Sequence, residues 1–248
     1  MVNLIVTTSW DDGSKLDLRL IALLNKYGLK GTFYIPTEYL NCSLEISDVK
    51  EIAKTQEIGA HTSHHLELDR VSLTEARSEI EDNKAYLEDI IGRKVITFCY
   101  PRGKYSPSVK ELVKSAGFLA ARTTKYGSFD QIKDPFEWQI TMQASNASPR
   151  KALGICLKTG IPVTSLLDWE IRAKLLFDLA FEKAGIYHLW GHSWEFERKH
   201  EWDKLDRVFS YISHREGIKY LTNGEIFTRS IGSESILLPC NTKIRQKE

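Results

Sequence analysis

Apolar positions along the chain alternate between short β-type runs and stretches with helical spacing. Residues 2–8 are apolar and largely β-branched, a pattern typical of a buried strand. Leu16, Leu20 and Leu24 then recur every fourth position, which predicts a helix. Residues 31–35 form the next β-type run. This order predicts a β-α-β unit with two parallel strands and a right-handed crossover.

The same alternation continues to about residue 221. Further strands are predicted at residues 58–60, 95–100, 118–124, 137–142, 186–190 and 218–221. Further helices are predicted at residues 47–55, 73–91, 109–116, 169–184 and 202–211. No Pro/Gly/Ser-rich linker or change of composition divides the chain. The pattern predicts one barrel-like α/β domain at residues 1–232, with seven or eight mostly parallel strands, and a polar tail at residues 233–248.

Composition narrows the class of protein. The chain has 248 residues, 42% hydrophobic and 27% charged, and a formal net charge of +1, so no broad basic surface for nucleic acid is expected. No run of about 18 apolar residues is present, so no membrane span is expected. The first apolar run leads directly into acidic residues, without a basic leader, which predicts a cytoplasmic protein. Four scattered cysteines form no Cys-x-x-Cys pair and predict neither disulfides nor a thiolate zinc site: Cys42, Cys99, Cys156 and Cys240.

Polar side chains follow several of the predicted strands. In a parallel barrel the carboxyl ends of the strands meet on one face, where active sites lie. We therefore expect the residues at these ends to converge. They are Asp11 and Asp12 after the first strand, His61 and His65 after the third, Arg102 after the fourth, and His188 or His192 in the penultimate one.

His61 and His65 are candidate metal ligands. They stand four positions apart, so a helical turn would bring both imidazoles to one face. A histidine pair alone is more often part of a polar loop, but the pair Asp11-Asp12 offers a third ligand. Three protein ligands with a position open for water are typical of a catalytic site, whereas a structural site would need a fourth ligand. One of the two aspartates can bind the metal while the other stays free to accept a proton, and His64 receives no role.

Two motifs resemble those of a known family. The runs TTSWDDG (residues 7–13) and HTSHH (residues 61–65) are similar to the first two motifs of the polysaccharide deacetylases, the carbohydrate esterase family 4 with the NodB homology domain. The resemblance implies a distorted (β/α) barrel that hydrolyses the amide of an N-acetylated sugar. It implies a divalent metal, zinc in our prediction, held by Asp12, His61 and His65. Asp11 would be the base that acts on a metal-bound water.

The leaving amine needs an acid, and the family's last motif ends a hydrophobic strand in a catalytic histidine. His192 has that position, directly after the run at residues 186–190. His188 is the alternative, because alternation would place both histidines on one side of an extended strand. The position at the strand end favours His192, with His188 as a core residue.

The third motif departs from the family pattern, which commonly reads Arg-Pro-Pro-Tyr-Gly. Here the run is CYPRG (residues 99–103), with Cys99 in place of the arginine and Arg102 in place of the tyrosine. A backbone N–H donor survives such a change, because it needs no particular side chain. An arginine that orients Asp11 does not carry over, so Arg102 or Arg122 replaces it or the substrate class differs.

Further residues are weaker candidates. Asp168 matches the family's fourth motif, although a helix N-cap explains it better. Trp10 and Trp194 are candidate walls for stacking a sugar ring, and Arg102 is a candidate substrate contact.

The predicted function is metal-dependent hydrolysis of a non-peptide C–N bond. The expected substrate is an N-acetylated sugar or oligosaccharide, a sugar nucleotide or a lipid-linked precursor. Alternatives are a relative that hydrolyses a cyclic amide or ureide, and a catalytically silent barrel that binds carbohydrate. The sequence predicts no oligomeric state.

Overall fold

The computed structural model describes residues 4–129, 132–145 and 148–229 as helices packed around one curled sheet. The predicted tail at residues 233–248 lies outside the described residues. The strands are β1 (Leu4–Asp11), β2 (Gly31–Ile35), β3 (Glu57–Ala60), β4 (Thr97–Cys99), β5 (Ala120–Arg122), β6 (Met142–Gln143), β7 (Ile186–Gly191) and β8 (Ile218–Tyr220).

Every pairing between these strands is parallel. The order is β5-β4-β3-β2-β1-β7-β6, and β8 also pairs with β1. Two strands pair with the same edge of β1: β8 pairs with residues 4–6, and β2 pairs with residues 8–11. The predicted barrel-like sheet of parallel strands is therefore confirmed, and β5 and β6 are its two ends.

Six of the nine described helices lie where the helical spacing predicted them. The helices are α1 (Asp17–Lys26), α2 (Ile46–Ala53), α3 (Leu73–Ile91), α4 (Pro107–Ser115), α5 (Pro149–Thr159), α6 (Trp169–Glu182), α7 (Ser193–Lys199), α8 (Trp202–Ile212) and α9 (Asn223–Arg229). The sequence did not predict α5, α7 and α9. The last two have only seven residues each, and α5 has apolar residues on its exposed side as well as its buried side, so no period of 3.6 stands out.

All of β1 is buried, as expected for a parallel strand covered on both faces. Successive residues of β1 point to opposite faces of the sheet, so Trp10 and Asp11 have different surroundings. Trp10 has no exposed surface, packs edge-on against Phe196 and Phe209, and donates its indole N–H to Thr8 Oγ1 at 2.9 Å. The prediction that Trp10 stacks on a substrate is therefore wrong: it lies in the core, on the opposite face of the strand from Asp11.

Within residues 4–129, 132–145 and 148–229, no helix has both the length and the apolar character that crossing a membrane requires.

Candidate metal centre

A sharp turn at the end of β1 separates two neighbouring carboxylates. Asp11 is the last residue of the strand, while Asp12 has a φ of 79° and Gly13 a φ of 67°. Both are left-handed conformations, which aspartate tolerates better than most residues and glycine adopts freely. The turn therefore lets Asp11 and Asp12 take different partners.

The histidine segment follows β3 as a loop. Thr62 and His65 have φ angles of 63° and 59°, so the segment is no helical turn and that expectation is wrong. The irregular backbone nevertheless brings the rings of His61 and His65 together, with their centroids 4.7 Å apart. The reason that both imidazoles meet at one point is the loop, not helical spacing.

Asp12, His61 and His65 form a set of donors that fits a divalent ion. Their ligand atoms all lie within 4.8 Å of one another. Asp12 Oδ1 is 3.8 Å from His61 Nε2 and 3.4 Å from His65 Nε2. Tetrahedral zinc with bonds of about 2.0 Å separates its ligand atoms by about 3.3 Å. Asp12 Oδ1 is also buried without a hydrogen-bond partner, which an ion at this point would satisfy.

The two histidines are oriented and neutral. His61 Nδ1 lies 2.8 Å from the carbonyl oxygen of Cys99, so Nδ1–H donates there and the lone pair of Nε2 faces the site. Burial lowers the pKa of His61 to about 4 and also lowers the pKa of His65. The ring of His65 is stacked on Tyr39 with centroids 4.7 Å apart. Both nitrogens are therefore available to a cation at neutral pH.

His64 has a structural role that the sequence did not show. Its backbone N–H donates to Glu79 Oε2 at 2.8 Å, and its ring Nδ1 lies 2.6 Å from Glu79 Oε1. On the far side of the ring, Nε2 is 3.2 Å from Glu38. The hydrogen bond to Glu79 raises the pKa of His64. His64 thus attaches the ligand loop to α3 instead of joining the site.

Asp11 is held by three side chains in the barrel interior. Arg122 Nη2 lies 2.5 Å from each carboxylate oxygen, and Trp190 Nε1 donates to Oδ2 at 2.8 Å. The thiol of Cys99 is 3.7 Å from the same Oδ2. Burial raises the pKa of Asp11, but the charge of Arg122, the nearby histidines His61 and His192, and the hydrogen bond from Arg122 together lower that pKa to about 2. Asp11 is therefore an ionised carboxylate.

Arg122 supplies the arginine contact to Asp11 that the third motif lacks, because Cys99 stands in place of the motif's arginine. It comes from β5, is fully buried, and also places Nη2 2.8 Å from Cys99 Sγ. Arg102, the other candidate, is largely exposed and pairs with Glu67 at 3.3 Å. Of the two arginines, the structure brings Arg122 to Asp11.

His192 lies at the site and His188 lies in the core. His192 Nε2 is 3.7 Å from Asp12 Oδ2, whereas His188 Nε2 is hydrogen-bonded to Ser9 Oγ at 2.8 Å. The ring of His188 also packs on Trp138, and burial lowers its pKa well below the usual value. His192 follows the last residue of β7, so strand alternation no longer determines its direction.

Glu195 is a site residue that the sequence did not predict. Its Oε2 lies 3.4 Å from His192 Nδ1, and its side chain is buried. Burial lowers the pKa of His192, but Glu195 and the two aspartates raise it above the ordinary value. His192 is the N-cap of α7 but makes no side-chain cap hydrogen bond, so no local capping pattern pointed to Glu195. Asp168, by contrast, accepts from Glu170 N–H at 2.9 Å as the N-cap of α6.

A cavity of about 370 Å³ opens beside Asp12. Asp12 forms part of its wall, and Trp194 forms another and donates its indole N–H to Asp12 Oδ2 at 3.3 Å. The remaining lining comes from Ser14, Tyr39 and Asn41. Two aromatic side chains therefore border the space next to the candidate metal centre.

Comparison with known proteins supports the motifs. The family model described as Polysaccharide deacetylase matches residues 4–121. YxkH of Bacillus subtilis (strain 168), named a putative polysaccharide deacetylase, is 25% identical over 127 residues, 50% of this chain and 46% of YxkH. The chain thus covers about half the length of this curated relative.

Two solved structures share the fold. The first is a protein of Mycobacterium smegmatis, named a putative polysaccharide deacetylase. It superposes with a TM-score of 0.69 at 14% identity, and the match covers 99% of this chain and 95% of the M. smegmatis chain. A family 4 acetyl xylan esterase from Clostridium thermocellum, solved with a cobalt ion, gives 0.55 at 17% identity, covering 91% of each chain. At these identities the likeness establishes the fold. Together with the family match, whose range includes Asp11, Asp12, His61 and His65, these findings confirm the predicted resemblance: residues 4–121 of this chain are similar to the polysaccharide deacetylase family.

Proposed function

We propose that the protein is a metal-dependent hydrolase that removes the acetyl group from an N-acetylated sugar or oligosaccharide. One observation carries the proposal: an ionised carboxylate, Asp11, and a histidine with a raised pKa, His192, flank the same three-ligand centre. Amide hydrolysis needs a base for the attacking water and an acid for the departing amine. Asp11, whose carboxylate lies near His61, and His192, which lies 3.7 Å from Asp12, match these needs.

Asp12, His61 and His65 would hold the ion, which we propose to be zinc. A divalent ion supplies Lewis-acid polarisation of the substrate carbonyl and lowers the pKa of water. The donor set, two neutral imidazoles and one carboxylate, suits zinc and also other first-row ions.

Asp11 would accept the proton of the attacking water. Its low pKa keeps it ionised throughout the neutral range, and contacts from Arg122 and Trp190 fix the direction of its oxygens. Arg122 does not touch the substrate in this mechanism. It positions the base and compensates its buried charge.

His192 would donate a proton to the nitrogen of the leaving amine. Glu195 stabilises the imidazolium form, so a larger fraction of His192 is protonated near neutral pH. The rings of Tyr39 and Trp194 would contact the sugar, whose faces are apolar enough to pack on aromatic side chains. The cytoplasmic location stays a prediction.

Acetate release tests this function. The purified protein, supplied with zinc, is incubated with N-acetylglucosamine oligomers, sugar nucleotides and cyclic amides, and Asp11→Asn serves as the comparison. We expect release from at least one N-acetylated sugar and a loss of about 10²- to 10⁴-fold in Asp11→Asn, the usual contribution of a general base. Turnover of a cyclic amide alone would favour the alternative substrate class. Equal inertness of both proteins on the whole panel would favour a silent carbohydrate-binding barrel.

The pH profile tests the role of Glu195. In Glu195→Gln we expect the alkaline limb of kcat/KM to move to lower pH. The reason is that Glu195 raises the pKa of His192, and activity is lost as pH rises through the pKa of the acid. Glu197→Gln is the matched control, because Glu197 is two positions further along α7 and its side chain is exposed. This variant should leave the alkaline limb where it is in the wild type. An unmoved limb in Glu195→Gln would contradict the assignment of His192 as the acid.

A further inference from the structure

Exposed apolar side chains lie on α5, on and just after the 3₁₀ turn at Val163–Leu166, and in the first turn of α6. We call this area the α5–α6 surface. It contains half of the ten large hydrophobic residues that are exposed among the described residues, within the 19 positions from 153 to 171. They are Leu153 (40% exposed), Leu157 (74%), Val163 (54%), Leu167 (98%) and Ile171 (50%). Clusters of this kind mark interaction sites more often than single exposed leucines do.

The packing of these elements fixes the outward direction of the leucines. The opposite side of α5 is buried through Ala152, Ile155 and Cys156. The 3₁₀ turn is attached to both helices, since Ser165 Oγ lies 3.5 Å from Cys156 Sγ and the Ser165 carbonyl accepts from Arg172 Nη1 at 2.8 Å. The exposed leucines therefore belong to a built surface and not to a loose loop.

The charge around this surface is positive. Residues 148–167 contain three basic residues and no acidic one, and all three basic residues are exposed. Lys158 also donates to the Tyr126 carbonyl at 3.3 Å. The next acids along the chain are engaged, because Asp168 is the N-cap of α6 and Glu170 pairs with Arg207 at 2.8 Å. Asp134 and Glu137, which share a pocket with Lys158, both pair with Lys110. The three basic residues are Arg150, Lys151 and Lys158.

Exposed leucines bordered by cations suit the surface of an anionic bilayer. Leucine side chains enter the boundary between headgroups and acyl chains, while Lys and Arg interact with the phosphates. A protein interface would favour aromatic residues and disfavour lysine, and within the described residues 148–171 the only aromatic side chain, Trp169, is buried. The chemistry favours lipid over a protein partner.

Packed aromatic residues connect the α5–α6 surface to the candidate active site. Trp169, the first residue of α6, packs on Phe196 with ring centroids 5.8 Å apart. Phe196 lies in α7, two positions after Trp194 of the cavity wall. We propose that the α5–α6 surface docks the protein on an anionic lipid bilayer, with the leucines in the interface and the cations on the lipid phosphates.

Vesicle sedimentation tests the docking. The full chain is mixed with vesicles of phosphatidylcholine and phosphatidylserine, or of phosphatidylcholine alone, at low and high salt. We expect binding to the mixed vesicles that weakens with salt, and little binding to neutral vesicles. Leu157→Ser/Leu167→Ser should weaken the binding at least about tenfold, because the variant loses the transfer of two apolar side chains from water into the interface. Ile46→Ser/Leu73→Ser, which removes two large apolar residues that are about half exposed elsewhere on the protein, should bind like the wild type.

Three results would overturn the proposal. The first is a wild type that does not sediment with mixed vesicles. The second is equal binding by Leu157→Ser/Leu167→Ser. The third is a dimer in sedimentation velocity that this variant dissociates, without vesicle binding, because the surface would then join two copies of the chain. Acetate release from a water-soluble substrate is measured in parallel and should not change, so failure of docking and failure of the proposed function are distinguishable.

Discussion

Alanine at both His61 and His65 is expected to remove the divalent ion and to lower acetate release at least about 10³-fold. Each ring presents Nε2 to the same point near Asp12 Oδ1, so the double change leaves a single carboxylate ligand. Lewis-acid stabilisation is worth several kcal/mol, and each 1.36 kcal/mol is a factor of ten in rate. Metal content by plasma mass spectrometry after loading with zinc, together with the rate of acetate release, checks both parts.

His64→Ala is the matched control, because it removes an imidazole from the same loop. His64 binds Glu79 and Glu38 instead of the site, so this variant should still bind about one ion per chain. If the double variant kept its ion, the ligand assignment would be wrong. If His64→Ala lost its ion as completely, the loop as a whole, and not the two rings, would determine binding.

Arg122→Met is expected to destabilise the protein by about 3–5 kcal/mol, the range for breaking a buried ion pair on one side. Asp11 would be left as a buried charge without its main compensation. Because Arg122 holds the pKa of Asp11 at about 2, below the ordinary 3.8, its contribution is present above the ordinary pKa and is lost as pH falls through about 2. Without Arg122 that pKa rises, so the acid limb of kcat/KM should move to higher pH. Denaturant unfolding and the pH profile measure the two effects.

Arg102→Met separates this role from a general effect of positive charge. Arg102 is exposed and pairs only at the surface with Glu67, so the free energy of unfolding should change by less than about 1 kcal/mol. The acid limb should stay in place. Equal losses in both variants, or an unmoved limb in Arg122→Met, would contradict the role of Arg122 as the residue that positions Asp11.

The strand ends explain why so much of the site was predictable from the sequence. A buried strand has no use for Asp12 or His61, so polar residues there indicate the converging face of a barrel. The same reasoning separated His192, just past β7, from His188 inside it. Strand alternation also predicts opposite directions for Trp10 and Asp11, and applying it would have excluded Trp10 as a substrate wall.

Arg122 and Glu195 depend on contacts that local patterns do not contain. Arg122 stands 111 positions from Asp11, and an arginine at the end of a short strand usually reaches solvent. Only the curl of the sheet, which brings β5 opposite β1, makes it a buried partner. Glu195 depends on the direction of His192, which the turn after β7 sets. Residues that act through another side chain are therefore the ones that sequence reasoning misses.

The ligand loop has a practical consequence for preparing the protein with different metals. His61 N–H donates to Asn83 Oδ1, its ring donates to the Cys99 carbonyl, and His64 binds Glu79. These hydrogen bonds join protein groups to one another and leave Nε2 of His61 unused, so we expect them to hold the loop with or without the cation and metal binding to add to stability by mass action. A chelated sample should stay folded and accept zinc, cobalt or manganese in turn. Rate differences between such samples would then report on the ion itself.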